Sequence, residues 1–149
     1  MLGRAYDGQV CSIARTLELV GERWTLLIVR DAFLGRRRFD EFKDSLGIAT
    51  NVLTDRLGRL VEAGILERVA YSERPERFEY RLTERGVELR VALTALMQWG
   101  DRYLADRPPR VVRRKTDGAP VVAALVAPDG AVLSAREVES VPGPGARAS

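Results

Sequence analysis

The stretch FDEFKDSLGIATNVLTDRLGRLVEAG, residues 39–64, contains two helical apolar periods separated by a break. Phe39, Phe42 and Leu46 recur at spacings of three and four, which predicts a short helix ended by Gly47. Gly47-Ile48-Ala49-Thr50 reads as a tight turn. Leu53, Leu57 and Leu60 then restart the period and predict a second helix from about Asn51 to Ala63, with Gly64 at its C-terminal cap position. Two helices joined by a Gly-containing turn are the helix-turn-helix pattern.

Downstream of Gly64 the period shifts toward two. Residues 65–71 and 78–82 read as strands flanking a charged loop at 72–77, a β-hairpin placed directly after the helix pair. Upstream, Ile13, Leu17 and Val20 predict a helix capped by Ser12 and ended by Gly21. An apolar run from Trp24 to Leu34, stopped by Gly35, predicts a central core helix. Thr83 is placed to cap a long helix that runs through Leu104 and ends before Pro108 and Pro109. Residues 121–127 and 131–133 flank Pro128-Asp129-Gly130, a second hairpin signal.

The expected architecture is therefore mainly α with a β-hairpin wing. It is a winged helix-turn-helix followed by a small C-terminal β-hairpin extension. The expected organisation is a flexible arm at 1–10, the winged-helix domain at 11–107, the β extension at 108–141 and a disordered tail at 142–149.

Composition narrows the chemistry. Of 149 residues, 46% are hydrophobic and 30% charged, enough for a packed core. No apolar run reaches the ~18 residues needed to span a bilayer, and residues 1–10 lack a signal-peptide core. A cytoplasmic location without membrane partners is expected. The sequence has no histidine and a single cysteine, Cys11. That removes His-based triads, His metal sites and multi-cysteine metal sites. No phosphate-binding glycine loop or nucleophile motif is found, so neither catalytic residues nor a metal or cofactor is expected. The net charge of +3 is too small to name a partner by itself.

Several ordered motifs together resemble the HxlR family of bacterial regulators, related in fold to the MarR group. They are Cys11-Ser12-Ile13-Ala14, Gly21-Glu22-Arg23-Trp24-Thr25-Leu26-Leu27-Ile28 and Arg37-Arg38-Phe39-Asp40-Glu41-Phe42. Leu53-Thr54-Asp55-Arg56-Leu57, Ala63-Gly64-Ile65-Leu66 and Tyr80-Arg81-Leu82-Thr83-Glu84-Arg85-Gly86 complete the set, over about residues 8–107. The resemblance implies a dimeric winged-helix repressor or activator that binds inverted repeats in double-stranded DNA. It also implies that a cysteine placed like Cys11 is a candidate redox sensor. Where many members open the recognition helix with Ser-Pro, this chain has Ala49-Thr50, and Thr50 is expected to take over the cap.

Site residues follow from the helix geometry. Leu53, Leu57, Leu60 and Gly64 share the inward face of the fourth helix, and Asn51, Asp55, Gly58 and Glu62 lie opposite. The expected DNA contacts on or beside that outward face are Thr50, Asn51, Thr54, Asp55 and Arg59, because Asn, Thr and Arg can read base edges. Arg36, Arg37 and Arg38 precede the third helix, where at least one phosphate contact is expected beside the alternative of pairing with Asp40 or Glu41. Arg74 and Arg77 at the wing tip are placed to reach phosphates or a minor groove. Leu89, Ala92, Leu93, Leu96, Trp99 and Tyr103 form an apolar arc wider than one packing face, which points to a homodimer seam. Two alternatives stand beside DNA-binding regulation of this kind. One is an unidentified small-molecule effector held near residues 87–133, with Trp24, Trp99 and Tyr103 as candidate lining. The other is a winged-helix interaction module that does not bind DNA.

Overall fold

The computed structural model describes residues 11–146. The arm expected at 1–10 and the last three residues of the expected tail lie outside the described residues. Two compact units divide between Leu89 and Arg90.

The first unit contains α1 (Ser12–Val20), α2 (Thr25–Phe33), α3 (Phe39–Leu46), α4 (Thr50–Glu62), β1 (Leu66–Glu73), β2 (Glu76–Leu82) and the one-turn α5 (Glu84–Val87). Its core is drawn from every early element. Ala14 and Val20 come from α1, Ile28 and Val29 from α2, and Phe42 from α3. Ile48 fills the turn, and Leu53, Leu57 and Leu60 are the buried stripe of α4. Ile65 and Leu66 carry the core into the hairpin. Each fully buried apolar side chain is worth about 1.5–3 kcal/mol relative to exposure. The turn between α3 and α4 depends on Gly47, whose φ of 62° is left-handed and whose N–H closes on the Lys43 carbonyl at 2.9 Å.

β1 and β2 form an antiparallel hairpin with Leu66 opposite Leu82 and Glu73 opposite Glu76. The charged loop expected at 72–77 is shorter than that, because the strands continue to a two-residue turn at Arg74-Pro75. The register slips between Ala70 and Ser72, making Tyr71 the extra residue of a bulge.

Other boundaries also differ from expectation. Ser12 is the first helical residue of α1, and Cys11 occupies the N-cap position without a side-chain cap bond. Thr50 is likewise inside α4 rather than capping it, with Ala49 at the N-cap. Thr83 does cap a helix, accepting from the Gly86 N–H at 3.0 Å, but that helix stops after one turn. The Thr83 hydroxyl also donates to the Gly64 carbonyl at 2.6 Å, and Arg85 donates to the Ala63 carbonyl at 3.0 Å. A Cβ on Gly86 would lie 2.2 Å from the Ile65 carbonyl oxygen. This close docking onto the end of α4 fixes α5 in place. The single helix expected from 83 to 104 is thus interrupted at Glu88 and Leu89.

The second unit contains α6 (Arg90–Tyr103), β3 (Leu125–Val126) and β4 (Val132–Leu133). The β3–β4 hairpin turns through Gly130, at φ 89°. Its strands are two residues each, shorter than the runs expected at 121–127 and 131–133. α6 ends at Tyr103, ahead of the prolines. Gln98 ties the extension to α6, donating to the Val121 carbonyl and accepting from the Ala123 N–H, both at 2.8 Å. No helix among the described residues is long and apolar enough to cross a membrane.

Candidate nucleic-acid interface

Helix α4 presents the face expected of it. Leu53, Leu57 and Leu60 are fully buried, whereas Asn51, Thr54, Asp55, Gly58 and Glu62 are exposed. Thr50 is exposed at the first turn, and its carbonyl accepts the Thr54 hydroxyl at 2.9 Å. The Thr54 proton is therefore used within the helix, and its hydroxyl oxygen remains able to accept.

Asp55 and Arg59 belong to an ion-pair network that links α4 to the α1–α2 junction. Arg59 Nε lies 3.0 Å from Asp55 Oδ2, and its Nη1 lies 3.4 Å from Glu22 Oε1. Arg56 Nε is 2.5 Å from Glu22 Oε2, and Arg56 also pairs with Asp55. Sequence reasoning missed Arg56 and Glu22 as partners of this face. Both stood within the recognised motifs, but they are more than thirty positions apart, and helical spacing gives no sign that they meet.

Arg36, Arg37 and Arg38 take three different roles. Arg36 turns back toward Asp31, with Nε 3.9 Å from Oδ2. Asp31 is itself fully buried on α2 and also pairs with Arg30 at 2.9 Å. Arg38 stacks on the ring of Tyr71, its guanidinium carbon 4.5 Å from the centroid, so the bulge in β1 supplies its platform. Arg37 is held by its backbone at both ends: its N–H donates to Glu41 Oε2 at 2.8 Å, and its carbonyl accepts the Tyr80 N–H at 2.6 Å. The Arg37 side chain is exposed. A long cation on a fixed backbone, between the start of α3 and the wing, suits phosphate anchoring.

Glu41 accepts from the N–H groups of both Arg37 and Arg38, at 2.8 and 3.0 Å. These bonds favour the charged carboxylate and hold its pKa below the usual range, with Arg38 and Arg36 adding to the effect. At the wing tip Arg74 and Arg77 are both exposed, with Glu73 and Glu76 beside them. Further along the wing, Arg68 lies over Phe78 at 3.6 Å and Arg81 pairs with Glu79 at 2.9 Å. Among the described residues no cluster of three or more His, Cys, Asp or Glu could hold a metal ion.

Cys11 is exposed, and its carbonyl accepts the Arg15 N–H at 3.0 Å. In the second unit Leu96, Trp99 and Tyr103 are exposed, with the two rings 5.2 Å apart. Ala92 is exposed and Leu93 half-buried, and in the first unit Leu89 is half-buried. The second unit also holds an open cleft of about 810 Å³, lined by Val91, Trp99, Arg102, Val122 and Leu125 among others. Of the three aromatics expected around an effector, Trp99 lines this cleft and Tyr103 does not; Trp24 belongs to the first unit.

The model of the HxlR-like helix-turn-helix family matches residues 19–108. This chain belongs to the HxlR family. It is 48% identical to a helix-turn-helix-type transcriptional regulator of Mycobacterium tuberculosis, over 99% of this chain and 94% of that protein. Among solved structures it is similar to PA1607, a candidate transcription factor. That match has a TM-score of 0.81 and 38% identity, and covers 93% of this chain and 99% of the other. It is also similar to the redox regulator HypR in its reduced form, with a TM-score of 0.59 and 30% identity over 63% of this chain and 96% of HypR. The HxlR protein is thus a transcriptional regulator with a winged helix-turn-helix, and not an enzyme. Its bacterial relatives include the mycobacterial regulator.

Proposed function

We propose that this HxlR protein binds an inverted-repeat operator in duplex DNA as a homodimer, with α4 as the recognition helix. The observation that carries the reading is Arg37. Its backbone is pinned between Glu41 and Tyr80, and its side chain stays exposed beside a helix whose outward face is short and polar. Asn51 and Thr54 meet base edges in the major groove, and Thr50 sits at the helix start facing the backbone. Arg59 reads a guanine while Asp55 orients its guanidinium from the side. Arg37 anchors a phosphate, with Arg36 and Arg38 shaping the loop that holds it. Arg74 and Arg77 bring the wing to the neighbouring backbone or minor groove.

The homodimer seam is formed by Leu89, Ala92, Leu93, Leu96, Trp99 and Tyr103. It is supported by the exposure of Leu96, Trp99 and Tyr103, large apolar groups that a lone subunit leaves in water.

Duplex binding by variants tests the DNA-facing half. Asn51→Ala should relax base preference at one position per half-site, at about 1–3 kcal/mol. Arg37→Ala should weaken binding to all sequences alike and reduce the salt slope by about one unit. Identical behaviour of the two variants would refute the docking.

A redox response is a second reading, favoured by the exposure of Cys11 at the α1 N-cap and by the similarity to HypR. Two Cys11 thiols from two copies and one hydroperoxide would give an intermolecular disulfide, with water and an alcohol (or a second water) released. Equal DNA release by wild type and Cys11→Ser after peroxide treatment would dismiss it.

A further inference from the structure

The second unit is ordered but has no apolar core of its own among its described residues. Among the described residues every buried apolar side chain lies at or before Leu66, and in the second unit only Thr94 is buried. Polar bonds tie the extension together, and Val112, Ala123 and Leu133 are no more than half-buried. Gln98 grips the backbone at Val121 and Ala123, the Val121 N–H donates to the Val112 carbonyl at 3.0 Å, and Arg114 pairs with Asp117. This scaffold displays Val111, Val122, Leu125, Val126 and Val132 in water, with Val122 77% and Val132 70% exposed. Net hydrogen-bond energies are about 0.5–1.5 kcal/mol each, and ordering each residue's backbone costs about 1–2 kcal/mol. A few polar ties therefore do not hold such a segment unless its apolar surface is covered.

We infer that residues 109–133 form a second part of the homodimer interface, the cleft of each protomer being closed by apolar side chains of the other. The inference rests on the homodimer reading and extends it beyond the region matched by the family model, which ends at residue 108. Three observations select a second copy as the occupant. The cleft is continuous with the α6 seam, since Trp99 lines it. Its lining is mostly apolar but includes Asp101, Arg102 and Arg110, which supply both signs of charge, so the patch can complement itself across a two-fold axis. The similarity to the mycobacterial relative covers 99% of this chain and so takes in this unit, and a second copy is present wherever the chain is.

The test is sedimentation equilibrium of the full chain, wild type against Val122→Glu, Val132→Glu and Leu96→Glu, with Thr116→Glu as a control on the same extension. Wild type should be a dimer at micromolar concentration. Val122→Glu and Val132→Glu should each raise the dimer dissociation constant at least tenfold, and Thr116→Glu should leave it unchanged. All three extension sites are exposed in the single chain, and circular dichroism would verify folding. A photo-crosslinking residue at position 122 should yield a covalent dimer. If only Leu96→Glu dissociates the dimer and position 122 crosslinks within its own chain, the homodimer stands and this inference falls. A monomeric wild type would overturn both. A small molecule found in the cleft by native mass spectrometry, with dimerisation unaffected by Val122→Glu, would also overturn it.

Discussion

Leu57 and Leu96 sit on helices of nearly equal length, 13 residues in α4 and 14 in α6. Leu57 is fully buried, whereas Leu96 is 57% exposed. The sequence periods around them are similar, so the difference comes from what lies opposite. α4 packs among α2, α3 and the start of the hairpin, all within about fifty residues of chain. α6 has on its own unit only a short extension held by polar bonds. The apolar stripe of α4 is thus covered within one chain, whereas the second unit leaves much of its apolar surface exposed. An apolar stripe states that a face will be covered but not by which molecule.

The largest expected effect comes from breaking that contrast directly. Leu57→Ala should cost about 2–5 kcal/mol of unfolding free energy, because it leaves a cavity in a filled core. Leu96→Ala should leave the thermal midpoint of dilute protein nearly unchanged and act instead on dimer dissociation. Chemical denaturation at two protein concentrations checks both. Equal losses for the two variants at every concentration would erase the distinction between the units.

A smaller effect is expected where the hairpin joins α5. Thr83→Ala removes the cap of α5 and the bond to the Gly64 carbonyl, and should cost about 0.5–2 kcal/mol. Thr83→Ser should recover most of it. Failure of serine to rescue would mean that the methyl packing, and not the hydroxyl, matters there.

The smallest concerns Glu41. Its pKa is lower in the folded chain than in the unfolded one, so its stabilising contribution is fully present above the unfolded value and is lost as pH falls through the folded value. Acidification below the ordinary carboxylate range should loosen the Arg37–Arg38 loop before the core unfolds. Hydrogen exchange at the Arg37 and Arg38 amides would show this, and Glu41→Gln should show raised exchange already at neutral pH.

The helix pair was legible because Leu53, Leu57 and Leu60 repeat at helical spacing and Gly47 marks a left-handed turn. The wing was legible in place but not in length, since strand pairing carried Glu73 and Glu76 into the ladder. The break at Glu88 and Leu89 was hidden. It follows from Gly86 lying against the Ile65 carbonyl, a contact between positions 21 apart that no local pattern announces. The cap at Thr50 was misplaced because a threonine suits both the N-cap and the first helical turn, where Thr54 can bond back to its carbonyl. The candidate DNA-facing residues were legible as a face. Their individual roles were not, because Asp31, Tyr71 and Glu22 reach them only through the fold.

Selection of bound duplexes from a random pool, repeated at two salt concentrations, tests the central claim most directly. An inverted repeat with half-sites about one helical turn apart should be enriched, and affinity should fall steeply as salt rises. Arg37→Ala should select the same sequence with a shallower salt dependence. Recovery of no common sequence, or binding indifferent to salt, would contradict it.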